Sequence, residues 1–235
     1  MEKAIALVAG EPNSISSEII FKSWLLRKKF KHKPFFIIGN INLLNKQKKK
    51  LKFSIKIKEI NENFKYGDLK GNRMPVINVK YSQKQAFRKI SSLSNKYIYE
   101  CFDCALRLIK LNKLAGLVNC PISKEYLLKG KYKGITEYLS AKTNRSGNEV
   151  MIIYNSKLAV SPITTHIPIK NVSSMLNKNK IIQKIKIIHN FYKEKLKRIP
   201  KIGVLGLNPH NHSNNEESEE KKIIKPAIKT LKKNK

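Results

Sequence analysis

Short apolar runs alternate along this chain with longer segments of helical periodicity, and that alternation most restricts the folds open to it. An apolar run bounded by Gly, Pro, Asn or Lys reads as a buried strand, because a strand covered on both faces has no side to give to water. Such runs fall at Ala4 to Gly10, Pro34 to Gly39, Phe53 to Lys58, Pro75 to Val79, Leu114 to Asn119, Val150 to Tyr154, Leu158 to Ile163 and Ile202 to Leu207. Helical spacing fills the intervals. Ser16 or Ser17 can cap a helix running to about Phe30, Gln83 to Asn112 carries the longest pattern, and Lys170 to Leu176 and Ile181 to Leu196 follow. Glu217 to Lys233 reads as a charged helix interrupted or restarted at Pro226. The pattern predicts βα units around a mostly parallel sheet, with a hairpin across Asn155-Ser156. At 235 residues the chain can bury a sizeable core as one large or two small α/β lobes.

Composition narrows the class further. The longest apolar runs fall well short of the ~20 residues that cross a bilayer, so no membrane span is expected. Lys3 and a short apolar stretch leading into Glu11-Pro12 suit a first strand better than a cleaved leader, and a cytoplasmic location is expected. Three cysteines, Cys101, Cys104 and Cys120, are an odd number in such a chain and predict no disulfide framework. Cys101 and Cys104 form a C-x-x-C inside a helical pattern, where ordinary buried thiols are expected rather than redox or metal chemistry.

A net charge of +33 invites a nucleic-acid reading, since clustered cations neutralise phosphates. Arginine speaks against it. There are six arginines beside 43 lysines, whereas base and phosphate recognition recruits the bidentate guanidinium. The charge is read as lysine filling solvated faces, with no specific nucleic-acid partner, though a positive field would still draw anionic substrates.

Two histidines stand at the ends of apolar runs: His166 in Thr164-Thr165-His166-Ile167-Pro168, and His210 in Gly206-Leu207-Asn208-Pro209-His210. In open α/β sheets ligands collect beyond the carboxyl ends of strands, so both imidazoles are expected to face one crevice. Two neutral imidazoles can begin a divalent-metal site; a catalytic zinc site usually takes a third protein ligand. A histidine near a strand end is otherwise a hydrogen-bonded structural residue, and spacing alone leaves both readings open.

The text around these histidines resembles the two signatures of the 4-hydroxythreonine-4-phosphate dehydrogenase family of vitamin B6 biosynthesis. Other strings resemble the same family in the same order: Gly10-Glu11-Pro12-Asn13-Ser14-Ile15-Ser16, Cys120-Pro121-Ile122-Ser123-Lys124, Gly134-Ile135-Thr136-Glu137-Tyr138-Leu139, and Glu219-Glu220 with Ile223-Ile224-Lys225-Pro226-Ala227-Ile228. The resemblance spans nearly the whole chain. It implies an isocitrate/isopropylmalate-dehydrogenase-like fold, two interlocked α/β lobes with a central cleft, working as a homodimer. The first lobe is expected over residues 1–130 and the second over residues 131–235. It implies NAD-dependent oxidation of the C3 alcohol of 4-phosphooxy-L-threonine, followed by loss of carbon dioxide from the β-keto acid. A divalent metal, Zn, Mg or Co, is implied as cofactor, with His166 and His210 as two of its ligands and Thr136 as a substrate contact. Catalytic and NAD-contacting residues are not assigned.

The sequence also departs from that pattern. Two glycines of the opening loop are Ser14 and Ser16, the family's histidine before Thr136 is Ile135, and Asn211-His212-Ser213-Asn214-Asn215 replaces a glycine-rich loop. Ile135 cannot donate to a phosphate or carboxylate, so one substrate contact is expected to be lost. His212 is read as a solvated loop histidine before an alternative ligand. The family's third metal histidine, in a His-Asp-Gln-Gly motif reaching the metal from the partner subunit, has no counterpart here, nor have the lysine, asparagine and arginine of its substrate pocket. The C-terminal part of the fold is therefore expected to be missing and activity impaired. Two alternatives stand beside the main reading: a related dehydrogenase for phospho-threonate or phospho-erythronate, and a non-catalytic truncated binding protein.

Overall fold

The computed structural model describes residues 3–29, 33–208, 210 and 216–233. The chain divides into two compact units, residues 1–131 and 132–235. The first holds β1 (Ala4–Val8), α1 (Ser16–Leu26), β2 (Phe35–Gly39), α2 (Ile41–Lys50), β3 (Lys56–Ile60), β4 (Arg73–Asn78), α3 (Asn95–Lys110), β5 (Leu114–Asn119) and the short α4 (Lys124–Leu128). Its five strands form one sheet in the order β3-β4-β2-β1-β5, and every pairing is parallel. Ile37 packs with Ile20, Phe21 and Trp24 of α1 and Leu44 of α2, while α3 lies against β1, β2 and β5. Alternation along β2 sends Phe36 and Ile38, both fully buried, to the opposite face from Ile37. With both faces covered, the Phe-Phe-Ile-Ile-Gly run is apolar throughout, as a central parallel strand requires.

The mixed α/β fold around a parallel sheet is the one the apolar alternation predicts, but local readings shift. Neither Ser16 nor Ser17 caps α1; both are its buried first residues, and the Ser16 N–H donates to the Ser14 hydroxyl at 3.2 Å. Helix α2 was hidden by its lysines, although Asn40 caps it by accepting from the Leu43 N–H at 2.9 Å. The helix expected from Gln83 starts only at Asn95. Gln83 instead spends its amide on Asn13 Oδ1 and the carbonyl of Gln85, bonds that compete with a helical backbone.

The three thiols are buried and unbridged. Burial pushes the Cys101 thiol far up and those of Cys104 and Cys120 up to about 12, so none is a nucleophile at neutral pH. An aromatic disulfide reagent at pH 8 is expected to find no fast-reacting thiol in the native chain and three in denaturant.

The second unit holds α5 (Ile135–Lys142), the pair β6 (Ile153–Tyr154) and β7 (Ala159–Val160), α6 (Val172–Met175), α7 (Lys178–Lys195) and α8 (Lys225–Lys233). A π-helical turn, Glu220–Ile224, runs without a break into α8, and Pro226, the second residue of α8, follows directly on that widened turn. Its small core gathers Ile181, Ile224 and Ala227 with Ile163, Val204 and Ile228.

The expected hairpin across Asn155-Ser156 is present but only two residues long on each side, closed by the Asn155 N–H on the Leu158 carbonyl at 2.9 Å. The two buried strands expected at Leu158 to Ile163 and Ile202 to Leu207 are corrected here. Only Ala159 and Val160 of the first are strand, the second has no ladder, and Leu158 is 67% and Leu205 86% exposed. A strand exists by its partners, and among the described residues neither run has a long one beside it. Leu205→Lys is accordingly expected to move the urea midpoint negligibly, within about 0.5 kcal/mol of wild type.

Candidate functional site

In the first unit, β1 lies between β2, its successor, and β5, so the chain's connections diverge on the two sides of β1. The crevice beyond the carboxyl ends of β1 and β5 is where such a sheet receives ligands. Two of the sequence strings meet there. Gly10 has φ +69, and a Cβ on it would lie 2.5 Å from the Pro121 carbonyl oxygen and 2.8 Å from that of Cys120. Only glycine lets the loop cross the turn this closely. The Glu11 N–H donates to the Pro121 carbonyl at 2.8 Å.

Glu11 is 1% exposed, and its carboxylate accepts from the Asn13 N–H at 3.0 Å and the Ser94 hydroxyl at 2.8 Å. Ser14 and Ser16, standing where the family pattern has glycine, bond to each other at 2.8 Å, and Ser16 also donates to the Pro121 carbonyl at 3.2 Å. The substituted side chains are thus absorbed into the loop. These bonds leave no glycine-lined cradle of the kind that receives a dinucleotide pyrophosphate, and no residue of this loop is assigned to NAD.

The second unit brings other strings together. Gly134 is the N-cap residue of α5 in extended backbone, with no side chain to cap the helix. Thr136 is exposed in the first turn and Glu137 half-buried beside it. A Cβ on Gly134 would lie 3.0 Å from Glu137 Oε2 and 3.9 Å from His166 Nε2, so the imidazole and the carboxylate share one side of the helix start. His166 therefore approaches the first turn of α5, the turn that carries candidate residue Thr136 thirty positions earlier in the sequence. A helix start without a side-chain cap carries the positive end of the helix dipole, and here that end faces the first-turn Glu137 carboxylate as well as a threonine hydroxyl and an imidazole.

His166 is not the end of a regular strand. It is exposed at a bend with φ +55, a left-handed backbone costing a non-glycine residue about 1 kcal/mol. Lys184 of α7 donates to the Pro162 carbonyl at 3.4 Å. Burial, then the neighbouring Lys180, pulls its ammonium below the usual lysine range against the charges of Glu149 and Glu137. Burial tends to raise the Glu149 carboxyl, but the Ser140 hydroxyl at 2.7 Å, backbone N–H groups and Lys184 hold it below the ordinary range. Glu137, Glu149, Lys180 and Lys184 thus form a charge network of mixed sign.

His210 is exposed and reached by a different route. Its N–H donates to Asn208 Oδ1 at 2.9 Å, while the Leu207 and Asn208 N–H groups donate to Glu220 Oε1 at 2.8 and 3.0 Å. His212 lies outside the described residues. Among the described residues no three His, Cys, Asp or Glu side chains gather as a metal site. Two imidazoles alone would leave a zinc site short of a protein ligand. Sequence reasoning missed Glu137, Lys184 and Glu220. The first and last were inside quoted strings, but only burial and hydrogen bonding show what they hold.

Known proteins agree with the sequence resemblance. The family model of the pyridoxal phosphate biosynthetic protein PdxA matches residues 31–235. A 4-hydroxythreonine-4-phosphate dehydrogenase of a Sulfurihydrogenibium species is 35% identical over 231 residues, covering 97% of this chain and 70% of that protein. A relative from Oceanobacillus iheyensis, bearing the name of a D-threonate 4-phosphate dehydrogenase, is 28% identical over 95% of this chain and 69% of its own length. The crystal structure of the 4-hydroxythreonine-4-phosphate dehydrogenase of Klebsiella pneumoniae superposes with a TM-score of 0.86 at 27% identity, covering 99% of this chain and 72% of that one. Among the described residues, no helix is long and apolar enough to cross a membrane.

Proposed function

Since the chain belongs to the family of the pyridoxal phosphate biosynthetic protein PdxA, whose relatives are dehydrogenases, we propose that it oxidises 4-phosphooxy-L-threonine with NAD, with decarboxylation, as a homodimer in the cytoplasm. The single observation that carries this reading is the approach of His166 to the uncapped first turn of α5, the turn that carries Thr136. There the Thr136 hydroxyl and the first-turn N–H groups bind and orient an anionic group of the substrate, a task for which helix starts are suited. Ile135, the first residue of α5, adds no donor, so the anion is held by fewer bonds than a histidine at that position would allow. Glu137 and the imidazole both face Gly134, and a carboxylate turned onto the ring would fix its tautomer and direction. His166 and His210 would hold a divalent cation together with a further donor. Such a cation supplies Lewis acidity at the oxygen being oxidised. NAD, when bound, accepts the hydride, and the protein's share is orientation and exclusion of side reactions.

The test is the appearance of NADH absorbance at 340 nm when the chain is given 4-phosphooxy-L-threonine, NAD and Mg, Zn or Co salts, with chelator abolishing it. No turnover at high protein concentration with any of these metals would overturn the reading. The Oceanobacillus relative favours a second reading, oxidation of D-threonate 4-phosphate. A kcat/KM higher for that substrate than for 4-phosphooxy-L-threonine would select it.

A further inference from the structure

The His210 loop is held by a carboxylate that the sequence strings quote but give no task. Glu220 is 2% exposed, and burying a carboxylate is costly unless its oxygens are satisfied. Oε1 accepts two backbone N–H groups in succession, Leu207 at 2.8 Å and Asn208 at 3.0 Å, charge-assisted bonds stronger than neutral ones. Asn208 in turn presents its Oδ1 to the His210 N–H at 2.9 Å. Gly206 completes the fit, since a Cβ there would lie 3.2 Å from the same Oε1. The carboxylate stands at the first residue of the π-helical turn Glu220–Ile224, a form of helix found mostly as single turns and often at functional sites.

We infer that Glu220 is the positioning residue of His210: through the Leu207 and Asn208 N–H groups it fixes the turn that aims the imidazole at its cation. The inference rests on the proposed role of His210 as a metal ligand. A leucine of similar volume would fill the space without burying a charge. What the carboxylate adds is a rigid double acceptor that takes the backbone of residues 207 and 208 out of any strand ladder and bends it toward position 210.

The experiment is a Co2+ titration of the full chain, read by visible absorption and by the imidazole proton NMR signals, on wild type, His210→Ala, Glu220→Leu and Glu220→Gln. In wild type, Co2+ is expected to shift and broaden the His210 ring signals. Glu220→Leu is expected to weaken Co2+ binding about 10–100-fold and to lose the His210 response. Glu220→Gln keeps an acceptor oxygen for both N–H groups and is expected to stay within about threefold of wild type. Wild-type binding and an unchanged His210 response in Glu220→Leu would overturn the positioning role while leaving the ligand role of His210 intact. Wild-type binding in His210→Ala would instead overturn the ligand role, and this inference with it. Should Glu220→Leu fail to fold, Glu220→Asp decides: withdrawing the carboxylate by one methylene is expected to abolish the His210 response, and an unaltered response refutes the inference.

Discussion

Gly10→Ala is expected to destabilise the first unit by at least about 2 kcal/mol, seen as a lower urea midpoint at unchanged slope. The new Cβ would lie 2.5 Å from the Pro121 carbonyl oxygen and 2.8 Å from that of Cys120, at a backbone φ of +69. Neither oxygen is a flexible side-chain end that can swing away. The Pro121 carbonyl accepts the Glu11 N–H, and the Cys120 N–H is bonded to the Val8 carbonyl, so both are tied to the β1–β5 crossing. Gly116 provides the control: a Cβ there meets nothing within 4 Å, and Gly116→Ala should cost no more than about 0.5 kcal/mol. Equal midpoints for the two variants would mean that the loop does not cross the Cys120-Pro121 turn as closely as described.

His166→Ala is expected to lower kcat/KM for the phosphorylated hydroxy acid at least about a hundredfold, roughly 2.7 kcal/mol of lost transition-state stabilisation. Thr136→Val should act more mildly, raising KM about tenfold with kcat less affected, as expected for one hydrogen bond to an anionic group. A purely structural histidine would give a different result, and its left-handed backbone makes the distinction measurable. At φ +55, replacing His166 by glycine relieves a cost of about 1 kcal/mol. His166→Gly should therefore be at least as stable as His166→Ala in thermal unfolding, yet equally inactive. Loss of activity that tracked loss of stability across the two variants would refute the catalytic-site reading.

Much of the first unit could be read in advance because its signals are local. The Phe35–Gly39 run is apolar at every position and became the central β2, and Leu114–Asn119 became β5 with the same bounds. The miss at α2 has the same origin, since lysines dominate its sequence while Leu43, Leu44 and Gln47 turn inward under a cap at Asn40. In the second unit the same reading failed. Leu158 to Ile163 and Ile202 to Leu207 have the composition of core strands, but composition does not supply the neighbouring strand that satisfies their N–H and C=O groups. The Leu207 N–H shows the outcome, bonded to a carboxylate thirteen residues further on.

The chemistry-bearing residues divide along the same line. His166, His210 and Thr136 could be named as candidates from the sequence because each sits in a short string of distinctive side chains, and the burial of Cys101 and Cys104 could be read from their place in a helical pattern. That His166 and Glu137 both come to the Gly134 start of α5, that Lys184 feels the Glu137 charge, and that Glu220 accepts the Leu207 and Asn208 N–H groups were decided only by tertiary structure. Strand and helix tendencies follow from side-chain periodicity over a few neighbouring positions. The meeting of groups thirty positions apart depends on which backbone donors the rest of the chain leaves unpaired, and the linear order of residues does not encode that pairing residue by residue.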